Sequence, residues 1–250
     1  MPEGDAVRRA ADRLATLAGD RVEASAPNPR GTLVARAVDG RVLERVDAVG
    51  KNLLLRFEGG VVVHSHLGMK GRWRVAPVGA ASFGRPWLVL RGTELEARLW
   101  NGSTLRLATG TELRLGPDLL AAGTDADALA RRVVAAGATR LIGDALLDQR
   151  LVAGIGNMWL AELLWRGRLS PWAAAGDVDL AALAGALGWA QAEMRSAVAG
   201  ARPIRAVYRR AGRPCPRCGT PISSRGLGDR NRTAYWCPAC QVPGPAERAA

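Results

Sequence analysis

Near the start of the chain, apolar residues keep to one side of a 3.6-residue repeat. Ala6, Val7, Ala10, Ala11, Leu14 and Leu17 recur at helical spacing and Gly19 follows as a stop, which predicts a helix over residues 5–17. From about residue 22 to 107 the period shortens. Runs such as RVLERVDAV, NLLLRFEG, VVVHSHL, RWRV and WLVL are broken by Gly, Pro and Asn, as in the strands and hairpins of a β-sandwich or barrel. The stretch TGTELRLGPDLLAAG, punctuated by Gly116-Pro117, reads as a linker. Helical spacing then returns over residues 125–136, 141–147, 157–166 and 180–198, and Pro203 closes that region. The pattern predicts an α+β multidomain chain. An N-terminal helix and β-sandwich occupy residues 1–115, a helical domain residues 116–210, and a small cysteine-bearing module residues 211–250.

All four cysteines lie in that last module, as Cys215-x2-Cys218 and Cys237-x2-Cys240 with 18 residues between the pairs. Each knuckle can supply two thiolates from a tight turn, so the four together suit one tetrahedral Zn²⁺. Two disulfides are the alternative. The opening residues, charged rather than basic and then apolar, suggest a chain without a leader that stays in a reducing compartment, which favours zinc. Four thiolates close the coordination sphere, so the expected metal is structural.

Charge narrows the partner. Lys and Arg number 35 against 23 Asp and Glu, a net charge of +12, which points to a polyanion. No run approaches the roughly 20 apolar residues of a membrane span, so nucleic acid is favoured over lipid and a cytoplasmic, nucleoid-associated protein is expected. Nearly all the positive charge is arginine. Lysine occurs only at Lys51 and Lys70, and a lysine kept against that bias can be a compact, tunable ammonium.

Two short segments carry candidate chemistry. The chain opens MPEGDAV, and removal of Met1 would leave Pro2 with a free secondary amine beside the Glu3 carboxyl. An α-amine titrates near ~7.7–8.0, well below lysine, so it is a usable nucleophile at neutral pH. In a purely structural reading, Pro2 begins a surface segment and Glu3 sits in the first turn of a helix. In DQRLVAGIGNMWLAELLW, Gly154-Ile155-Gly156 precedes Asn157, which reads as the N-cap of an amphipathic helix. Such a turn suits phosphate. It lacks the Gly-Lys-Ser/Thr ending of a nucleotide-hydrolysing loop.

Four motifs then coincide in order: MPEG, GKNLL, QRLVAGIGNMWLAE and CxxC…RTAYWCPACQ. Together they resemble the Fpg/Nei family of DNA glycosylases over essentially the whole chain. The resemblance implies a helix and β-sandwich, a helix–two-turn–helix domain and a zinc finger, and it implies excision of oxidised bases followed by strand cleavage. Pro2 matches the nucleophile that attacks C1′ of an extruded nucleotide, and Glu3 the acid/base beside it. Lys51 matches a lysine at the lesion phosphate or sugar. Asn157 and Arg232 match residues that hold the lesion phosphate, and Glu162 a carboxylate near the active site. In HLGMKG, His66 matches a backbone contact and Met69 a residue inserted where the damaged base was. His64 reads as a packing or surface residue and Lys70 as a generic surface or phosphate-facing charge.

Departures from the family pattern bear on branch and substrate. Asp5 and Ala6 stand where the family often has Pro-Glu, so a second glutamate is missing, and Asn52 replaces the usual His after Gly-Lys. No Asp-x-Arg-x-Phe segment occurs; the corresponding region reads EARLWNG. That absence and the RTAYWCPACQ finger favour the Nei (endonuclease VIII) branch and oxidised pyrimidines, whereas Met69 is more Fpg-like. The expected activity is that of a monomeric, bifunctional DNA glycosylase and AP lyase. The alternatives are an oxidised-purine enzyme of the same family, and a catalytically silent zinc protein that binds damaged DNA.

Overall fold

In a computed structural model, residues 2–108, 113–228 and 232–241 are described; Met1, and with it the expectation of its removal, lies outside them. The chain divides into two compact units, Met1–Leu113 and Arg114–Ala250. The first contains helix α1 (Gly4–Leu14), which runs on into a 3₁₀ turn to Leu17 and buries Val7, Ala11, Leu14 and Leu17 as the spacing requires. Strand β1 (Glu23–Ser25) follows, and then a short helix α2 (Thr32–Val38). The strand-like texture of residues 22–107 gave no sign of α2. Asn28 accepts the Arg30 amide and Pro29 opens the preceding 3₁₀ turn, so a local cap starts the helix within otherwise extended sequence.

Seven more strands complete this unit: β2 (Leu43–Val49), β3 (Asn52–Phe57), β4 (Val61–His66), β5 (Arg72–Pro77), β6 (Leu88–Arg91), β7 (Leu95–Trp100) and β8 (Thr104–Leu107). With β1 they form two antiparallel four-stranded sheets, ordered β2-β3-β4-β8 and β1-β6-β7-β5. Leu53, Leu55, Phe57 and Val63 of the first sheet and Leu88, Leu90, Ala97 and Leu99 of the second share one core with α1 and α2. Side chains alternate across a strand. Asn52, Leu54, His64, His66, Thr104 and Arg106 therefore share the other face of the first sheet, through the register Asn52↔His66↔Thr104 and Leu54↔His64↔Arg106.

The second unit holds α3 (Ala126–Val134), α4 (Ile142–Leu147), α5 (Asn157–Gly167) and α6 (Leu180–Val198). Asp125 caps α3 through the Asp127 amide, and Asp179 caps α6 through the Ala182 amide. Trp159, Leu163, Leu164, Leu183, Leu187 and Met194 form its centre. The hairpin β9 (Ser223–Leu227) and β10 (Arg232–Trp236) packs on this core through Leu227 and Ala234. Gly143 of α4 makes room for it. A Cβ there would sit 2.7 Å from the Leu227 side chain and 2.9 Å from the Pro171 carbonyl. Among the described residues no helix is long and apolar enough to cross a membrane.

Candidate functional site

Glu3 is the N-cap residue of α1, one position ahead of the first turn that a structural reading of the sequence allowed it, and it is only 3 % exposed. Its carbonyl accepts the Val7 amide. Half-buried Pro2 precedes it, and Asp5, also buried, pairs with Arg9 at 3.2 Å. The N-terminal segment is thus tied into the first turn of a helix whose apolar face is core. A carboxyl sits largely out of water next to the proline.

Lys51 lies in the tightest turn of the first sheet. Val49 and Asn52 pair directly across β2 and β3, so Gly50-Lys51 is a two-residue hairpin loop, and the +58° φ of Gly50 is the conformation its first position needs. Asn52 braces this turn: its Nδ2 donates to the Val49 carbonyl at 3.3 Å, and its Oδ1 lies 2.9 Å from His64 Nε2. Because Oδ1 can only accept, the proton of His64 sits on Nε2, and its buried Nδ1 has no partner. Burial first, then the nearby charges of Arg106 and His66, lowers the His64 pKa to about 4. His66 is also lowered, by burial and then by Lys51. His66 Nδ1 accepts the Gly68 amide at 3.0 Å and lies 2.7 Å from the Ser103 hydroxyl, which fixes the Leu67-Gly68-Met69 turn against the β7–β8 turn. Met69 projects from it, 76 % exposed.

In the second unit, Gln149 organises the glycine turn. Its Oε1 accepts the Gly154 amide and its Nε2 donates to the Ile155 and Leu147 carbonyls. A glutamine five residues ahead of the glycines was a local signal that sequence reading passed over. Asn157 is not the N-cap of α5: Gly156 holds that position, with no side-chain cap, and Asn157 is the first helical residue. Its Nδ2 instead donates to the Thr233 carbonyl at 2.7 Å, 76 residues away, and so ties the helix start to β10 one residue after Arg232. Glu162 is 1 % exposed and does not face solvent. Its two oxygens accept the amides of Ala206 (2.9 Å), Val207 (3.1 Å) and Tyr208 (2.8 Å). Burial pushes this carboxyl up, while those amides and Arg210 pull it down. Expected beside bound ligand, Glu162 is the anchor of the segment that leads from the helices to the cysteines.

The sulfurs of Cys215, Cys218, Cys237 and Cys240 all lie within 4.8 Å of one another. A tetrahedral Zn²⁺ with Zn–S near ~2.3 Å separates its ligands by about 3.8 Å, so the set fits that ion. The Arg217 amide and the Trp165 indole N–H both point at Cys215 Sγ, each at 3.4 Å, as donors to a thiolate do. Buried Gln241, another residue that sequence reading missed, accepts the Cys237 amide and donates to the Leu169 carbonyl, locking the second knuckle to the helices.

Family models match in the same order as these elements. The formamidopyrimidine-DNA glycosylase N-terminal domain matches residues 1–115, its H2TH domain residues 115–207, and a zinc finger found in FPG and IleRS residues 212–242. A probable endonuclease 8 2 of Streptomyces coelicolor is 38 % identical over 271 residues, covering 99 % of this chain and 96 % of its own. This chain belongs to the Fpg/Nei family of base-excision-repair glycosylases and AP lyases. Another relative, the DNA-(apurinic or apyrimidinic site) lyase Nei2 of Mycolicibacterium smegmatis, is 36 % identical over 259 residues, covering 97 % of this chain and 99 % of that one. The Fpg (MutM) of Lactococcus lactis, solved with DNA containing N7-benzyl-Fapy-dG, shares the fold at a TM-score of 0.82 and 22 % identity, covering 96 % of this chain and all of that one. Within the family this chain stands closer to endonuclease VIII by the names of its Streptomyces and Mycolicibacterium relatives.

Proposed function

We propose that this Fpg/Nei enzyme excises oxidised bases from DNA, pyrimidines in preference to purines, using the Pro2 amine as nucleophile once Met1 is removed. The observation that carries the reading is the placement of Pro2 directly ahead of a buried carboxyl at the N-cap of α1. Pro2 nitrogen bonds to C1′ as the glycosidic bond breaks, and the base leaves with a proton. The nitrogen then sheds its own proton. Opening of the sugar ring gives an iminium ion and a hydroxyl at C4′, with Glu3 as the group that supplies the proton to O4′. The iminium acidifies the C2′ proton. Its loss expels the 3′ phosphate, and a second elimination expels the 5′ phosphate.

Lys51, His66, Asn157 and Arg232 contact the sugar-phosphate backbone in this reading, and Met69 fills the space left by the extruded nucleotide. Extrusion costs a few kcal/mol and is cheapest for damaged pairs. Glu162 acts indirectly, by holding residues 206–208. One structural Zn²⁺ sits on the four cysteines and takes no part in the chemistry. The enzyme works as a monomer on chromosomal DNA in the cytoplasm.

Borohydride trapping on an abasic-site duplex tests this. Wild type with Met1 removed forms a reduced protein–DNA crosslink, and a form carrying an extra N-terminal residue does not. Equal crosslinking by both forms would move the nucleophile elsewhere. No crosslink from processed protein would leave a binder of damaged DNA. Side-by-side rates on thymine glycol and 8-oxoguanine duplexes decide the base preference.

A further inference from the structure

The segment between β5 and β6 carries a feature that the proposed chemistry does not use. Phe83, one of only two phenylalanines, is 84 % exposed. Its surroundings are nevertheless fixed. The Trp100 indole N–H donates to the Phe83 carbonyl at 3.2 Å, and Arg98 donates to the carbonyls of Ala80 (2.8 Å) and Ala81. Arg98 is itself held by Glu96, 2 % exposed, which also accepts from Arg91 at 3.0 Å. On the far side of Phe83, Arg85 donates twice to the Pro27 carbonyl, and the Trp87 amide donates to the Leu99 carbonyl. Gly84, at φ +72°, turns the chain at the tip. A charge cluster centred on buried Glu96 and hydrogen bonds on both flanks therefore hold one loop in place with an aromatic side chain, Phe83, in water.

Register says where that side chain emerges. β5 and β6 both pair with β7, on opposite sides, with Arg72↔Trp100 and Pro77↔Leu95 in one pairing and Leu88↔Leu99 and Arg91↔Glu96 in the other. The loop leaves β5 at the Leu95 end and enters β6 at the Leu99 end. It must cross β7 on the face opposite the core, where Arg98 and Trp100 catch it. It delivers Phe83 at the Trp100 end, where β5 begins three residues after Met69. The β7–β8 turn at that end offers only Asn101, Gly102 and Ser103, and Ser103 is engaged with His66.

We propose that Phe83 is a second intercalating residue, which stacks on a base of the complementary strand at the lesion while Met69 occupies the vacated position. This inference rests on the DNA-repair reading above. Stacking is sequence-tolerant because every base has a π-face, so Phe83 supports the distorted duplex without choosing the damaged base.

The test uses a duplex with a tetrahydrofuran abasic analogue opposite 2-aminopurine, whose fluorescence reports stacking in the complementary strand. Wild type, Phe83→Ala, Phe83→Trp and Met69→Ala are compared, each with Met1 removed. Phe83→Ala is expected to lose the fluorescence change and about 10-fold in duplex affinity. It is also expected to form the borohydride crosslink at wild-type level on single-stranded abasic DNA, where no complementary strand exists. Phe83→Trp restores both lost signals. An unchanged fluorescence response and duplex affinity in Phe83→Ala, with wild type still crosslinking, overturns the inference alone. Failure of wild type itself to crosslink or to bind the duplex overturns the repair reading and this inference together.

Discussion

The β-sandwich is held by Leu53, Leu55, Phe57, Leu88, Leu90 and Leu99, all without solvent exposure and all meeting one another across two sheets. The cysteine module has a much thinner interior: Ala206, Val207, Cys215, Ile222 and Cys237 cluster with Ala161, and two of those six belong to the four-cysteine cluster. One region buries enough apolar surface to fold by hydrophobic packing. The other gathers four cysteine sulfurs within 4.8 Å of one another and borrows helix surface through Leu227, Ala234 and Gln241. Removing the glue of one should leave the other standing.

The largest separation comes from the metal. Chelation, or Cys237→Ser, is expected to expose residues 213–241 to hydrogen exchange while β3 and β4 stay protected. The loss is bounded by the ~10–16 kcal/mol apparent zinc affinity of isolated fingers. Equal loss of protection in both regions would mean that they do not fold separately. The reciprocal change, Leu55→Ala, removes a fully buried side chain and should cost ~2–5 kcal/mol. Thermal unfolding should show it in the sandwich, with zinc content unchanged.

Acid sharpens the contrast on the sandwich side. His64 is held near pKa 4 by burial, against about 6.5 when the chain is unfolded. Above about pH 6.5 neither state is protonated and the group has no effect. As pH falls from about 6.5 to about 4, only the unfolded chain takes up the proton, so stability declines, by no more than about 3 kcal/mol. His64→Gln should flatten that part of the profile, read as the pH dependence of the unfolding midpoint. The smallest effect is expected at Glu162→Gln, which keeps one acceptor oxygen for the amides of residues 206–208 but removes the charge. A cost of roughly 1–2 kcal/mol should appear as faster exchange at those three amides. Glu162→Ala, which leaves all three without an acceptor, should cost more.

Much of this architecture could be read from local spacing. The predicted helix over 180–198 coincides with α6, and those over 125–136, 141–147 and 157–166 differ from α3, α4 and α5 only at their ends, because amphipathic helices write their period into consecutive residues. α2 escaped because a local start, the Asn28 side chain and Pro29 ahead of it, sets it inside sequence whose texture otherwise reads as strand. The N-cap assignment of Asn157 failed because the helix already begins at Asn157, with Gly156 as its N-cap, and the Asn157 side chain donates instead to the Thr233 carbonyl, a partner that a local rule does not see. Glu162, matched to a carboxylate near the active site, is instead enclosed by three amides more than 40 residues away, which its local sequence does not show.

The sequence alone determined the succession of helix, strand-rich and helical regions, the two paired cysteine knuckles and the basic charge, since each depends on neighbours within a few positions or on a sum over the chain. Tertiary structure decided which polar groups would be spent inside the fold and which would face outward. Asn52 and His64 brace a turn, Glu162 anchors a segment, and Met69 and Phe83 are left in water at one end of a sheet. The reason is physical. A buried donor or acceptor must find its partner wherever the packed chain brings one, and that pairing is fixed by contacts between residues far apart in sequence.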